Sequence, residues 1–214
     1  MTIKHKELQY RTVKPILRST LERLMRIDEF RPFRLVGGTS LSLRYGHRIS
    51  DDIDLFTDAE YGSIDFQLLQ EILRREFPYC QGDCGEIVSF GTSYLVGNSK
   101  EDNVKLDLFY TDPFIRPMDQ IESIRMASLD DIVAMKMDVI SRGGRKKDFW
   151  DLHILRNKYT IEQMLSLYKE RYPYGATDEE CIAGLTNFSV ADSDPDPTCL
   201  LGKKWQLIKL DFVE

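Results

Sequence analysis

Asp52 and Asp54 stand one residue apart in SDDIDLF, with Ile53 and Leu55 at the alternate positions. On an extended strand alternate side chains share a face, so the two carboxylates point one way and the two aliphatic residues the other. Carboxylates that close repel, and each raises the other's pKa unless a cation lies between them. Their oxygens suit a hard divalent ion; Mg²⁺ is commonly held by one or two protein carboxylates together with phosphate oxygens. A third acid, Asp107, has the same apolar flanks in KLDLF. If its strand neighbours the first, a three-acid cluster forms. The run also contains Asp51, and the alternation with Ile53 and Leu55 favours Asp52 and Asp54 over it. Just upstream, Gly37-Gly38-Thr39-Ser40 follows the apolar residues Phe33, Leu35 and Val36. Glycines let backbone N–H groups approach an anion, and a helix starting near Ser40 would aim its positive end at a phosphate. A phosphate cradle beside metal-binding acids implies metal-assisted phosphoryl or nucleotidyl transfer. Each feature alone has a plainer explanation: a glycine pair that reverses the chain, or acids that are solvated or cap helices. Their joint occurrence, with apolar flanks on every acid, favours chemistry.

These residues need a sheet to hold them. FRLVGG reads as a short buried strand ending in glycines, and IDLF as a second strand. Between them, Thr39 or Ser40 is a good N-cap for a short helix, SLSLRYG, ending near Gly46. Leu8, Val13, Ile16, Leu17, Leu21, Leu24 and Met25 form a helical stripe over 5–28, with Pro15 kinking or dividing it. Residues 65–77 form an amphipathic helix with Asp65 near its start. EIVSFGTSYLVGN and NVKLDLFY read as strands joined by the turn-like GNSKEDN. From Leu129 the pattern is helical: LDDIVAMKMDVISR, KKDFWDLHILRN and IEQMLSLYKERY. DSDPDPT, at 192–198, breaks the pattern and sets off a short C-terminal piece. The expected fold is α/β (α+β): a mixed sheet with flanking helices over 1–125, then a mostly helical lobe over 126–214. A cleft between two such lobes is where sites commonly form.

The 214 residues suffice for a real core, and a net charge of −6 argues against a surface that binds nucleic acid throughout. A local basic patch is still allowed. Arg142, Arg145, Lys146 and Lys147 form the one dense basic run, either a solvated loop or a contact for triphosphate or RNA backbone. No apolar run approaches the roughly 20 residues that span a bilayer, and the N-terminus lacks the apolar core of a secretory signal. A cytoplasmic protein with reduced thiols and no membrane partner is expected. Cys80 and Cys84 are spaced C-x3-C without a second pair or a nearby histidine, so zinc is not expected. Neither His47 nor His153 is expected to bind a metal. Lys136 sits among Ile132, Val133, Met135, Val139 and Ile140, where a lysine must snorkel or meet an anion. Asp148 and Asp151, near a helix start, would favour its dipole. Trp150, with Phe149 and Leu152, reads as core.

The pattern G-G-T-S, eleven residues, then D-I-D resembles the signature of the DNA polymerase β-type nucleotidyltransferase superfamily. More narrowly, HRISDDIDLF, KLDLF and GRKKDFWDLHIL resemble the AbiEii/AbiGii-type nucleotidyltransferases, which include toxins of phage-defence and toxin–antitoxin systems. The resemblance covers roughly residues 30–160. It implies a nucleotide-binding turn at Gly37, Gly38, Thr39 and Ser40, with Gly38 and Ser40 on the phosphates. It implies metal binding by Asp52, Asp54 and Asp107, with Asp107 also the candidate general base. Lys136 would contact the triphosphate, and Asp148 would be an acid needed for activity. Mg²⁺, or Mn²⁺, would be the cofactor and an NTP the substrate. The implied reaction moves a nucleoside monophosphate to a hydroxyl on tRNA or on a protein, with a cognate antitoxin as partner. A helix–turn–helix of this length would fold Lys136 and Asp148 back to one cleft, within about 12 Å of the acid pair. Two rivals share the first motif. An antibiotic-modifying nucleotidyltransferase suits the acidic charge, but KKDFWDL argues against it. A non-catalytic nucleotide-binding module would have lost the acids, and all three are present.

Overall fold

The computed structural model describes residues 7–85 and 90–213. The start of the expected strand EIVSFGTSYLVGN, residues 86–89, lies outside the described residues.

Alternation along two central strands builds the middle of the sheet. β2 (Asp52–Thr57) alternates half-buried and buried residues, and it pairs in parallel with β5 (Asn103–Tyr110). The register places Ile53 beside Leu106, Asp54 beside Asp107 and Leu55 beside Leu108. β5 pairs antiparallel with β4 (Gly91–Gly97), which pairs with β3 (Tyr79–Gln81). On the other side, β2 pairs antiparallel with β1 (Arg34–Leu35), which is followed by β7 (Ile124–Met126) and β6 (Asp119–Ile121). The seven strands run β3-β4-β5-β2-β1-β7-β6.

One sheet face is apolar. Ile53, Leu55, Tyr94, Leu106 and Leu108 are buried against Leu17 and Leu21 of α1 (Pro15–Leu24) and Leu69 and Leu73 of α3 (Phe66–Glu76). Each such side chain contributes about 1.5–3 kcal/mol by leaving water. Asp65 caps α3 by accepting from the Leu68 N–H at 2.9 Å. The second core belongs to the helical half: α4 (Leu129–Ser141), α5 (Lys146–Leu155), α6 (Ile161–Arg171), α7 (Asp178–Thr186) and α8 (Trp205–Val213). Val133, Met137, Phe149, Met164 and Trp205 fill it, together with Val36 and with Leu41 of α2 (Gly37–Tyr45). α2 therefore binds the sheet half to the helical half, directly behind the acids.

Three local expectations are corrected. Pro15 starts α1 at its first position, where its missing N–H costs nothing, instead of kinking a longer helix. α2 begins at Gly37, two residues before Thr39, and no side chain caps it. Thr39 cannot cap because its hydroxyl is engaged elsewhere, with Ser50 Oγ at 2.8 Å and the Asp52 carbonyl. The FRLVGG strand shrinks to the two residues of β1. β3, β6, β7, α7 and α8 were not expected as separate elements. Among the described residues, no helix is long and apolar enough to cross a membrane. All four cysteines are free.

Candidate active site

The face of β2 and β5 opposite the first core carries the acids. Asp54, Asp107 and Ser93 lie side by side across β2, β5 and β4. Ser93 Oγ donates to Asp107 Oδ1 at 2.6 Å, and Lys105 Nζ donates to Asp107 Oδ2 at 2.6 Å. Asp52 is partly exposed, with Lys147 Nζ 3.9 Å away. The Asp54 carboxyl is pushed up to about 6, first by burial and then by the charges of Asp107 and Asp52, which outweigh Lys136 and Lys147. A cation placed between the carboxylates would relieve this repulsion. No group of three acids, histidines or cysteines among the described residues is arranged to hold a metal by itself. The three-acid cluster is therefore not a finished cage: Asp107 is already occupied by Ser93 and Lys105. The donor set that remains, Asp52 and Asp54 on one strand face, fits the way Mg²⁺ shares its coordination between protein carboxylates and substrate phosphates.

The glycine turn lies directly against these acids. Gly37 has φ +68°, and a Cβ there would sit 2.5 Å from Asp54 Oδ2. At Gly38 a Cβ would overlap the Arg48 guanidinium and come within 3.3 Å of Asp151 Oδ2. A side chain at 37 would strain the left-handed backbone and displace the Asp54 carboxylate, and one at 38 would displace the Arg48 guanidinium. Thr39, through Ser50 and the Asp52 carbonyl, locks the first turn of α2 to the start of β2. Ser40 is fully buried, and its hydroxyl has no hydrogen-bond partner among the described residues. Gly37→Ala should therefore cost about 1–3 kcal/mol from the left-handed backbone alone, and more from displacing Asp54. The measurement is paired thermal unfolding and nucleotide transfer, with transfer falling further than stability explains. A fully active Gly37→Ala protein would show that the turn does not set the Asp54 carboxylate.

In the distal half, Lys136 Nζ lies 2.6 Å from Asp148 Oδ1 and 2.7 Å from Asp151 Oδ2. Asp151 is fully buried and also accepts from His47 Nε2 at 2.8 Å, Arg48 Nε at 2.7 Å and Arg48 Nη2 at 2.8 Å. Burial alone would raise the Asp151 carboxyl, but Lys136 and Arg48 beside it hold it well below the usual carboxylate range. The same contacts outweigh burial at Lys136 and raise it above an ordinary lysine. Asp148 has two jobs: one oxygen meets Lys136, and the other accepts from the Arg145 N–H at 3.1 Å, capping α5. Lys136 borders the same cavity as Gly37 and Asp54. Asp148 stands behind Lys136, outside that lining.

Sequence reasoning passed over Arg48 and gave Asp151 no more than a helix-dipole role. A signal existed, because Asp148 and Asp151 are three residues apart on a helix and so share a face. The basic run also divides. Arg142 pairs with Asp138, Lys146 reaches Asp196 at 3.0 Å, Lys147 approaches Asp52, and Arg145 is exposed. His153 pairs with Asp211 at 2.6 Å, away from the acids, and Trp150 stacks on Trp205 in the second core.

Two cavities flank the acid pair. The larger, about 600 Å³, lies on the Asp54 side and is bordered by Gly37, Phe56, Lys136, Arg142 and Tyr172. The smaller, about 350 Å³, lies on the Asp52 side between Arg48, Lys147 and the 194–198 segment. Arg145 borders both. The arrangement offers two chambers on either side of the acid pair, one bordered by Asp54 and the other by Asp52, with cations at the walls of both.

Comparison with known proteins bears on this geometry. Residues 19–214 match the family described as nucleotidyl transferase AbiEii toxin, type IV toxin–antitoxin system. An uncharacterized protein of Aquifex aeolicus is 31% identical over 170 residues, covering 76% of this chain and 77% of that one. Among solved structures, MenT4, a nucleotidyltransferase toxin of Mycobacterium tuberculosis, superposes with a TM-score of 0.59 at 12% identity, over 92% of this chain and 81% of its own. JHP933 of Helicobacter pylori superposes with a TM-score of 0.55 at 17% identity, over 92% and 85%. These two similarities establish the shared nucleotidyltransferase-like fold. The match across nearly the whole chain establishes more: this protein belongs to the AbiEii nucleotidyltransferase toxin family.

Proposed function

We propose that this protein uses Mg²⁺ or Mn²⁺ to transfer a nucleoside monophosphate from an NTP to a hydroxyl of a tRNA or protein. In this reading it acts as a toxin in the bacterial cytoplasm, restrained by a cognate antitoxin. Family membership supports nucleotidyl transfer itself. The observation that carries the finer reading is the Asp54–Asp107 register beside a glycine turn where a side chain would displace Asp54 or Arg48.

The residues divide the work as follows. Asp52 and Asp54 would hold the divalent ion, which supplies charge neutralisation at the phosphates and acidifies the acceptor hydroxyl when bound. Gly37, which borders the larger cavity, would offer the first amide of α2 to phosphate oxygens, while Gly38 and Ser40 lie buried in the same turn behind it. Lys136 adds a point cation on the Asp54 side of the site. The acceptor oxygen bonds to the α-phosphorus as the bond to pyrophosphate breaks, and the hydroxyl proton passes to the Asp107 carboxylate once Ser93 or Lys105 gives up its hold on one of its oxygens. Phe56 and Tyr172 give the larger cavity the apolar walls suited to a nucleobase, and Arg142 its polar rim.

The direct test incubates the protein with each labelled NTP, Mg²⁺ or Mn²⁺, and either total RNA or lysate protein. Label is expected in a macromolecular fraction. Label only in an added aminoglycoside-like drug would replace this reading with small-molecule modification. In parallel, overproduction of the wild type should slow bacterial growth while Asp54→Ala at matched expression does not. Equal growth of the two strains would remove the toxin role and leave the enzyme.

A further inference from the structure

The segment 111–116 carries the chain away from the end of β5 without a helix or strand of its own. Arg171, the last residue of α6, holds it. The Arg171 side chain is fully buried, and all five of its guanidinium N–H groups are spent. Nη1 donates to the Pro113 carbonyl at 2.8 Å and to Asp131 Oδ1 at 2.9 Å. Nη2 donates to the Asp112 carbonyl at 2.9 Å and to Thr111 Oγ1 at 3.0 Å, and Nε donates to the Tyr172 hydroxyl at 3.0 Å. Asp131, also fully buried, balances the charge and accepts from the Ile115 N–H at 2.8 Å.

A brace for the backbone alone would use the carboxylate and the two carbonyls. Two of the five hydrogens go instead to hydroxyls. A hydroxyl has one hydrogen to give and two lone pairs that accept. By accepting from Arg171, the Thr111 and Tyr172 hydroxyls keep their own hydrogens, and among the described residues neither donates to another group. A cation behind each oxygen also polarises its O–H bond and strengthens it as a donor. Thr111 and Tyr172 both border the larger cavity, with Gly37, Asp54 and Lys136, while Arg171 stands behind them outside that lining. Asp112 and Asp138 border the same cavity, and their charges act on Tyr172. Negative charge there repels phosphate, so this wall suits the uncharged part of a nucleotide.

We propose that Arg171 is a positioning residue for nucleotide binding. It fixes the Thr111 and Tyr172 hydroxyls as paired donors that hold the nucleoside of the NTP by its acceptor atoms: a base carbonyl, a ring nitrogen or a ribose oxygen. The proposal rests on the nucleotidyl-transfer reading above. Arg171 touches no substrate itself, and it acts through the two hydroxyls that it orients.

The test uses the full chain, each of the four NTPs in turn, and equilibrium binding alongside transfer kinetics and thermal unfolding. For the NTP that the wild type binds best, Tyr172→Phe and Thr111→Val should each weaken binding about fivefold, the scale of one neutral hydrogen bond. The loss should fall on the KM for NTP more than on kcat. Thr111→Ser keeps a hydroxyl and should restore the wild-type affinity. Arg171→Lys keeps a charge for Asp131 but cannot reach both hydroxyls, so it should weaken binding at least as much as the two hydroxyl variants combined. Adding Tyr172→Phe to Arg171→Lys should then cost less than Tyr172→Phe costs alone. Where Arg171→Lys does not fold, the hydroxyl variants decide. Unchanged NTP affinity in both Tyr172→Phe and Thr111→Val would overturn the proposal. So would equal losses in Thr111→Ser and Thr111→Val, or losses confined to variants whose unfolding temperature also drops, because Arg171 would then be a brace and nothing more. A wild type that binds NTP and weakens as expected in these variants, yet transfers nothing, would refute the transfer reading while supporting the role of Arg171.

Discussion

Asp54→Asn should abolish nucleotide transfer and leave a protein at least as stable as the wild type. Transfer should fall by at least about 10²–10³-fold, the scale on which removal of one preorganised charged or polar group acts in other active sites. Stability should move the other way. The Asp54 carboxyl is pushed up to about 6 by burial and by its acidic neighbours, so its ionised form strains the metal-free fold at neutral pH. An acid whose folded pKa exceeds its unfolded value destabilises the fold above the folded pKa, and the penalty fades as pH falls towards the unfolded one. The metal-free wild type should therefore gain stability from this group as pH drops from 7 through 6 towards 4. Asn at 54 should remove that gradient and add about 1–2 kcal/mol at pH 7. Chemical unfolding at pH 7 and pH 5 with chelator present measures both. An Asp54→Asn protein that is inactive because it is unfolded would contradict the account, since nothing in the fold relies on that charge.

The acid pair was legible because strand alternation is a short-range rule. Ile53 and Leu55 tell the sheet which face is core, and the faces of Asp52 and Asp54 follow without knowledge of the rest of the chain. The β2–β5 pairing was legible only as a condition, because nothing local says that KLDLF lies beside DIDLF. The start of α2 was misplaced because Thr39 looks like a cap and in fact spends its hydroxyl on Ser50 and the Asp52 carbonyl, eleven and thirteen residues away. β7 escaped notice because three buried residues, Ile124–Met126, carry no periodicity to read. The same limit hid the pairing of Arg48 with Asp151. The two lie across a separation of 103 residues, and only the packing of α5 against α2 brings them together.

That long-range contact makes Asp151, and not Asp148, the acid whose loss should disturb the fold most. Asp151 Oδ1 and Oδ2 together serve His47, Arg48 and Lys136, and no water reaches the carboxylate. Asp151→Asn keeps the shape but leaves Arg48 and Lys136 sharing only Asp148 inside the protein. Breaking a buried charge network from one side typically costs about 3–5 kcal/mol. In a chain of this size that lowers Tm by roughly 10 °C. Asp148→Asn should cost less, about 1–2 kcal/mol, because Lys136 keeps Asp151 and what is lost is mainly a cap on α5. The pH dependence supplies an independent check with the opposite sign from Asp54. Asp151 is held well below the usual carboxylate range, so its contribution is present at neutral pH and is lost as pH falls below the unfolded value towards the folded one. Urea unfolding at pH 7 and at about pH 3, below the unfolded carboxylate value, should show wild type losing more stability on acidification than Asp151→Asn does. Equal stability of Asp148→Asn and Asp151→Asn at pH 7 would mean that Lys136, and not Arg48, is the cation the carboxylate is there to hold. Because the Arg48 guanidinium lies against Gly38, that outcome would also detach the buried network from the phosphate turn and leave α2 positioned by Thr39 and its apolar contacts alone.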